Sequence, residues 1–173
     1  LADGGCATII CSTVTRAQEV FERLRAYFPE TELGLFHGRF LFKDRERIEG
    51  ECLEKFGKDA KNRPKKFVLV ATQVIEQSLD VDFDLMISDL APIDLLLQRS
   101  GRLHRHTERN AKRPIRLKQP TLWVIKPELD DRQNIDFDAA GYIYKRHLLL
   151  RTWLTLRDLK TLQLPDRMDE LIA

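Results

Sequence analysis

Two stretches of this 173-residue sequence carry side chains that could do chemistry. The first, QRSGRLHRH at 98–106, sets Arg99, Arg102 and Arg105 three residues apart around Gly101, with His104 and His106 beside them. Guanidinium groups stay charged and offer paired donors that match phosphate oxygens. On a helix the three arginines would occupy adjoining positions of one broad face. Gly101 would let the backbone approach a ligand or a neighbouring segment. A solvated basic helix face is the plainer account of the same residues. The second stretch, ATQVIEQSLDVDFD at 71–84, carries Thr72, Asp80, Asp82 and Asp84. Taken alone it is a turn decorated with solvated carboxylates. It lacks the glycine and the later glutamate that a calcium loop requires.

Hydrophobic patterning indicates what must position these groups. The runs CATIICST (6–13), TELGLFHG (31–38), KFVLVAT (66–72), FDLMISDL (83–90) and TLWVIKP (121–127) predict short buried strands. Between them, Ala17, Val20, Phe21, Leu24 and Phe28 recur at helical spacing, with Thr15 and Gln18 as a capping box. Ile48, Cys52, Leu53 and Phe56 mark one face of a second helix. Pro92 suits the first turn of a third helix through IDLLLQRS. Residues 105–120 are basic with two prolines and predict an exposed loop; residues 128–138 are acidic and irregular. One long helix is expected over GYIYKRHLLLRTWLTLRDL, then a loop at Pro165 and a last short helical turn. Strands alternating with helices imply right-handed βαβ units and a mostly parallel α/β sheet covered on both faces. Ligands of such sheets bind beyond the carboxyl ends of the strands. That rule gathers Ser12, Thr13, His37 to Arg39, Thr72, Gln73 and Asp89 at one edge. The helix bearing Gln98, Arg99 and Arg102 starts from the same edge, so the polar groups are expected to converge.

Bulk properties narrow the class without deciding it. Hydrophobic content of 43%, charged content of 32% and a net charge of +2 describe an ordinary soluble globular chain. Charge is unevenly placed: from Arg99 to Lys118 every acidic or basic residue except Glu108 is basic. Cys6, Cys11 and Cys52 show no paired-ligand spacing, and an odd count without a secretory signal fits buried thiols in a reducing cytoplasm. The four histidines have no metal-binding spacing, so no metal is expected on this chain. No apolar run approaches a membrane span. The sequence starts at Leu1 and enters a strand almost at once, which reads as a piece of something longer.

Taken together, the two stretches have a specific order: Thr72 to Asp80, a strand, then Gln-Arg-x-Gly-Arg-x-x-Arg. This resembles motifs V and VI of superfamily 2 helicases, and TIICST followed by a helix resembles motif IV. The block ATQVIEQSLDVDFDLMISDLAPIDLLLQRSGRLHRH, with HGRF at 37–40 and LLRTWLTL and LPDRMDELI near the end, resembles the CRISPR-associated helicase–nuclease of type I interference systems. The resemblance implies a three-layer RecA-like fold, with residues 1–127 as the second RecA-like helicase domain and residues 128–173 as a helical extension within one structural unit. It implies Arg102 and Arg105 as fingers reaching the γ-phosphate of ATP, with Gln98 and Asp80 ordering the nucleotide cleft. It implies Thr72 as a nucleic-acid backbone contact, with Ser12, Thr13, His37 and Arg39 as further contacts. Gln98 stands where many relatives have histidine, and Glu76 and Gln77 replace the commoner Arg-Gly. ATP and Mg2+ would be held mainly by a first RecA-like domain, since no Gly-x-x-x-x-Gly-Lys-Ser/Thr occurs here. The fragment alone is expected to be inactive. Implied partners are single-stranded DNA, that first domain, a nuclease domain and a CRISPR RNA-guided surveillance complex. Two readings stand beside this one: another superfamily 2 motor on RNA or duplex DNA, and a non-catalytic nucleic-acid-binding or docking module of the same fold.

Overall fold

Every strand expected from an apolar run is present. The computed structural model describes residues 1–76, 79–129, 134–162, 164 and 171. Strands β1 (Gly5–Ile10), β2 (Leu33–Phe36), β3 (Lys66–Ala71), β4 (Leu85–Ser88) and β5 (Thr121–Val124) form one sheet in the order β2-β3-β1-β4-β5. All its pairings are parallel, with Cys6 opposite Phe67 and Ala7 opposite Leu85. Helices α1 (Val14–Leu24), α2 (Phe42–Phe56) and α3 (Ile93–Ser100) connect the strands. This is the RecA-like three-layer arrangement.

Side chains alternate across a strand, which explains why both faces are apolar. Along β3, Phe67, Leu69 and Ala71 join Ile48, Cys52 and Phe56 of α2 in one core cluster. Val68 and Val70 point the other way and pack with Ala17, Val20, Phe21 and Leu24 of α1. Burying one such large side chain contributes about 1.5–3 kcal/mol. Leu53 does not share the buried face of α2; it is 42% exposed. The first helix is capped by Thr13 rather than Thr15. Thr13 has extended backbone, and its Oγ1 accepts the Arg16 N–H at 3.2 Å.

Asp82 and Asp84 are not solvated carboxylates; residues 105–120 are largely exposed, as expected, but His106 and Arg113 turn inward. Asp82 is 0% and Asp84 3% exposed. Two buried carboxylates need cations, and this region supplies Arg113 and also Arg109, whose Nε lies 3.7 Å from Asp82 Oδ2. Arg113, between 3-10 turns at Thr107–Lys112 and Ile115–Leu117, donates to Asp82 at 2.9 Å and also to Asp84. Arg63 donates to Asp84 Oδ2 at 2.9 Å and to the Asp82 carbonyl at 2.7 Å. Gly5 sits against this region at φ +105, where an added Cβ would lie 2.5 Å from Leu117 Cδ1.

The C-terminal part differs from the expected single helix. Strands β6 (Glu128–Leu129) and β7 (Ile135–Asp136) pair antiparallel within the segment read as irregular. Then α4 (Ala140–Ile143) stops, Tyr144 turns extended at φ −118 and ψ 151, and α5 (Arg146–Leu156) begins. Phe137, Ala140 and Leu149 pack with Leu90, Val124 and Trp153 in a third core cluster, which ties this region to the β4–β5 side of the sheet. The last turn expected past Pro165 lies outside the described residues, apart from Leu171. Among the described residues no helix is long and apolar enough to cross a membrane.

Candidate functional site

At the carboxyl edge, Ser12, Thr13, Arg39, Gln73, Glu76 and Tyr144 line an open groove whose apolar part is Val14, Leu95 and Ile143. The short link from β1 to α1 holds Ser12 in place. Its N–H donates to Asp89 Oδ2 at 2.8 Å, and Asp89 also accepts Arg16 Nε at 2.9 Å. Ser12 is 3% exposed, and its Oγ is buried with no partner among the described residues. Gln73 opens a 3-10 turn over Gln73–Glu76 and spends both amide hydrogens, donating to the Ser12 carbonyl at 2.9 Å and to Tyr144 Oη at 3.0 Å. Arg39 is exposed. Thr72, 3% exposed, extends the β2–β3 pairing by donating its N–H to the Phe36 carbonyl at 3.0 Å. His37 is 5% exposed and stacks on Phe40 at 4.2 Å; burial holds its pKa below the ordinary histidine value. The groove thus gathers Ser12, Thr13, Arg39 and Gln73, while Thr72 and His37 do not line it.

The arginines do not share one face. Helix α3 ends at Ser100, and Leu103 bridges Phe83, ahead of β4. Residues 102–106 therefore run beside the amino end of that strand, away from the groove, and the polar groups form two sets instead of converging. Gly101 has ordinary right-handed backbone at φ −64, and an added Cβ would meet the Gln98 carbonyl of its own helix at 3.3 Å. Among the described residues Gly101 makes no close approach to another segment of the chain.

Arg99 is fully buried. Its Nε donates to Glu76 Oε1 at 2.6 Å and its NH1 to Ser88 Oγ at 2.6 Å. Removing one partner of such a buried pair costs about 3–5 kcal/mol, so this guanidinium is locked. Arg102 is half-buried: NH2 donates to the Glu76 carbonyl at 2.9 Å, NH1 weakly to the Gln98 carbonyl at 3.4 Å, and Nε is buried without a partner among the described residues. Burial, then the Arg105 charge, lowers its pKa. Arg105 is exposed, donating to Asp80 at 2.6 Å and to the Gly101 carbonyl at 3.1 Å. His106 lies 3.0 Å from Asp80, and the His106 and Arg105 contacts hold Asp80 below the usual carboxylate range. Asp80, Arg105 and His106 line a second depression with Lys58, Thr107 and Glu108. The Arg105–Asp80 pair is 42% and 51% exposed, so exchanging Asp80 for another anion costs less than about 1 kcal/mol. Two cations with loose or incomplete partners fit a phosphate-bearing ligand. Among the described residues no group of three or more His, Cys, Asp or Glu is placed to hold a metal ion.

Glu76 links the two sets. Its carboxylate grips Arg99 and its carbonyl grips Arg102. The sequence reading missed it, although an acidic residue where arginine is commoner was the available signal. Tyr144 was missed as well, and nothing local marks it.

Residues 3–108 match the family model for the C-terminal part of the CRISPR-associated nuclease/helicase Cas3. The chain is 40% identical over 173 residues to the CRISPR-associated nuclease/helicase Cas3 of Streptococcus thermophilus, covering 99% of this chain and 18% of that protein. The crystal structure of T. fusca Cas3-ATP superposes with a TM-score of 0.89 at 41% identity, over 99% of this chain and 20% of the other. A chain of a CRISPR RNA-guided surveillance complex, pre-nicking, superposes with a TM-score of 0.80 at 41% identity, over 96% and 21%. The chain thus spans about a fifth of the length of the proteins it matches.

Proposed function

Because this chain belongs to the Cas3 nuclease/helicase family, we propose that it is the second RecA-like domain of an ATP-dependent motor on single-stranded DNA. In the whole protein that motor unwinds target DNA and feeds it to a nuclease domain in CRISPR type I defence. The observation that carries the reading is the contrast among the three arginines. Arg99 is locked inside the fold on a buried carboxylate, whereas Arg102 is half-buried on backbone carbonyls and Arg105 holds an exposed carboxylate and the Gly101 carbonyl. Neither of those two is held by a buried carboxylate, so both can exchange their partners for phosphate charge presented by a facing domain.

In this reading Arg102 and Arg105 are the fingers, and Gln98 and Asp80 order the same face. A bound nucleoside triphosphate supplies the phosphoryl group to be transferred, and guanidiniums that meet its developing charge contribute about 10³–10⁵ in rate. The P-loop and the Mg2+ belong to the first RecA-like domain; this sequence contains no Gly-x-x-x-x-Gly-Lys-Ser/Thr. Ser12, Thr13 and Arg39 meet the DNA backbone in the groove, with Thr72 at its strand end and His37 nearby in sequence to Arg39. Hydroxyls and a guanidinium suit phosphate contact without base readout. The nucleotide-bound and surveillance-complex relatives support ATP as ligand and a CRISPR RNA-guided complex as partner. Three free, buried cysteines, with Cys6 pushed up to about 11 and Cys11 and Cys52 to about 12 by burial, suit the cytoplasm.

The test is Arg102→Ala and Arg105→Ala in the full-length protein with DNA saturating. Each is expected to cut ATP turnover by about 10³ or more while nucleotide affinity changes far less, because fingers act on the transition state. Equal, small losses in both would return the arginines to a solvated surface role.

A further inference from the structure

Tyr144 lies outside every helicase motif named above, yet the chain breaks a helix to place it. It lines the groove with Ser12, Thr13 and Arg39. Its oxygen accepts two hydrogen bonds, from Gln73 Nε2 at 3.0 Å and from Arg99 NH2 at 3.4 Å. Both partners are donors, so the hydroxyl proton is not used in either contact, and it has no acceptor among the described residues. A phenol O–H at the wall of a groove is a donor waiting for an acceptor, and a phosphate oxygen is the acceptor that single-stranded nucleic acid brings.

The far side of the same oxygen leads to the other polar set. Arg99 Nε donates to Glu76 Oε1 at 2.6 Å, and Arg102 NH2 donates to the carbonyl of that same Glu76 at 2.9 Å. The Gln73–Glu76 turn carries both ends of the path: Gln73 at the groove, Glu76 at the arginine. Arg99 and the Glu76 carboxylate are 0% and 8% exposed, so water screens this part of the path little.

We infer that Tyr144 is a DNA-contacting positioning residue, whose hydroxyl donates to the strand in the groove while its oxygen, through Arg99 and Glu76, sets Arg102. A strand phosphate oxygen that accepts a hydrogen bond from the hydroxyl polarises the phenol oxygen, which then holds Arg99 and Gln73 more firmly. The Glu76 carbonyl is thereby fixed under Arg102. The inference rests on the proposed function, from which it takes the DNA groove and the finger.

The experiment uses the full-length protein and an oligothymidine probe. Tyr144→Phe keeps the ring and removes only the hydroxyl. It is expected to weaken probe binding about fivefold, the effect of one neutral hydrogen bond, and to lower the ratio of DNA-saturated to DNA-free ATP turnover by a similar factor. In a double-variant cycle, Tyr144→Phe with Glu76→Gln should lower that ratio no more than the worse single variant does, because both cut one path. Normal stimulation in Tyr144→Phe, or losses that multiply in the double variant, would overturn the inference. Arg102→Ala, run in parallel, separates the failures: if turnover survives it, the finger reading itself is wrong, and Tyr144 has nothing to position.

Discussion

At the scale of single residues, exposure decides what each arginine can do. Arg99 and Arg105 have the same chemistry and opposite settings. In the isolated chain, Arg99→Ala should cost about 3–5 kcal/mol in chemical denaturation, because Glu76 is left buried and unpaired. Arg105→Ala should change stability by less than about 1 kcal/mol, since both it and Asp80 are largely solvated. The reverse ranking would mean that Arg105 is structural. Arg39 offers a separate check on the groove. It is exposed in the region where Ser12 keeps an orphaned hydroxyl. Arg39→Ala should weaken single-stranded DNA binding about equally for unrelated sequences and reduce the salt slope by about 1, because one counterion-releasing contact is lost. An unchanged slope would move the track elsewhere.

At the scale of elements, the Asp82–Asp84–Arg113 network shows where a pH dependence comes from. Burial alone would raise the Asp84 pKa, but the Cys6 N–H, Arg63 and Arg113 outweigh it and hold it below the ordinary value. A carboxylate whose pKa is depressed by folding contributes stability above its unfolded pKa of about 3.9, and that contribution is lost as pH falls through the folded value. Tm should therefore drop steeply below about pH 4, and Asp84→Asn should flatten that drop while lowering Tm at pH 7. A parallel pH profile in the variant would show that Asp84 is not the group responsible. None of this network was legible in the sequence, since Arg113 stands 29 and 31 residues from its partners. The strands were legible, because a strand buried on both faces has to be apolar throughout, as KFVLVA is. The break at Tyr144 was not, because its partner Gln73 is 71 residues away and the local spacing continues as a helix. Motif order pointed to Arg102 and Arg105. The three-residue spacing that put Arg99 beside them failed because the helix ends at Ser100, one residue past it.

At the scale of the whole molecule, three core clusters fill both faces of the sheet and its C-terminal flank. The isolated chain should unfold cooperatively on heating and show no ATP turnover, with or without single-stranded DNA. Turnover by purified chain that disappears in Arg102→Ala would contradict the assignment of the P-loop to another domain. The strand order has a consequence in time. The first strand of this sheet in chain order, β1, ends up at the centre, and its two partners begin at Lys66 and Leu85. No strand of the main sheet pairs with its neighbour in sequence except β2 with β3 and β4 with β5, and both those pairs are parallel with long connections. CATII, an apolar β-rich segment, therefore stays unpaired until β3 has formed at Lys66–Ala71, and keeps one open edge until β4 has formed at Leu85–Ser88, past the midpoint of these 173 residues. Loop closure precedes every stabilising contact of the central strand, so refolding should fall in the slow range of small domains, milliseconds to seconds. During that interval β1 is the segment most exposed to pairing with another copy of itself.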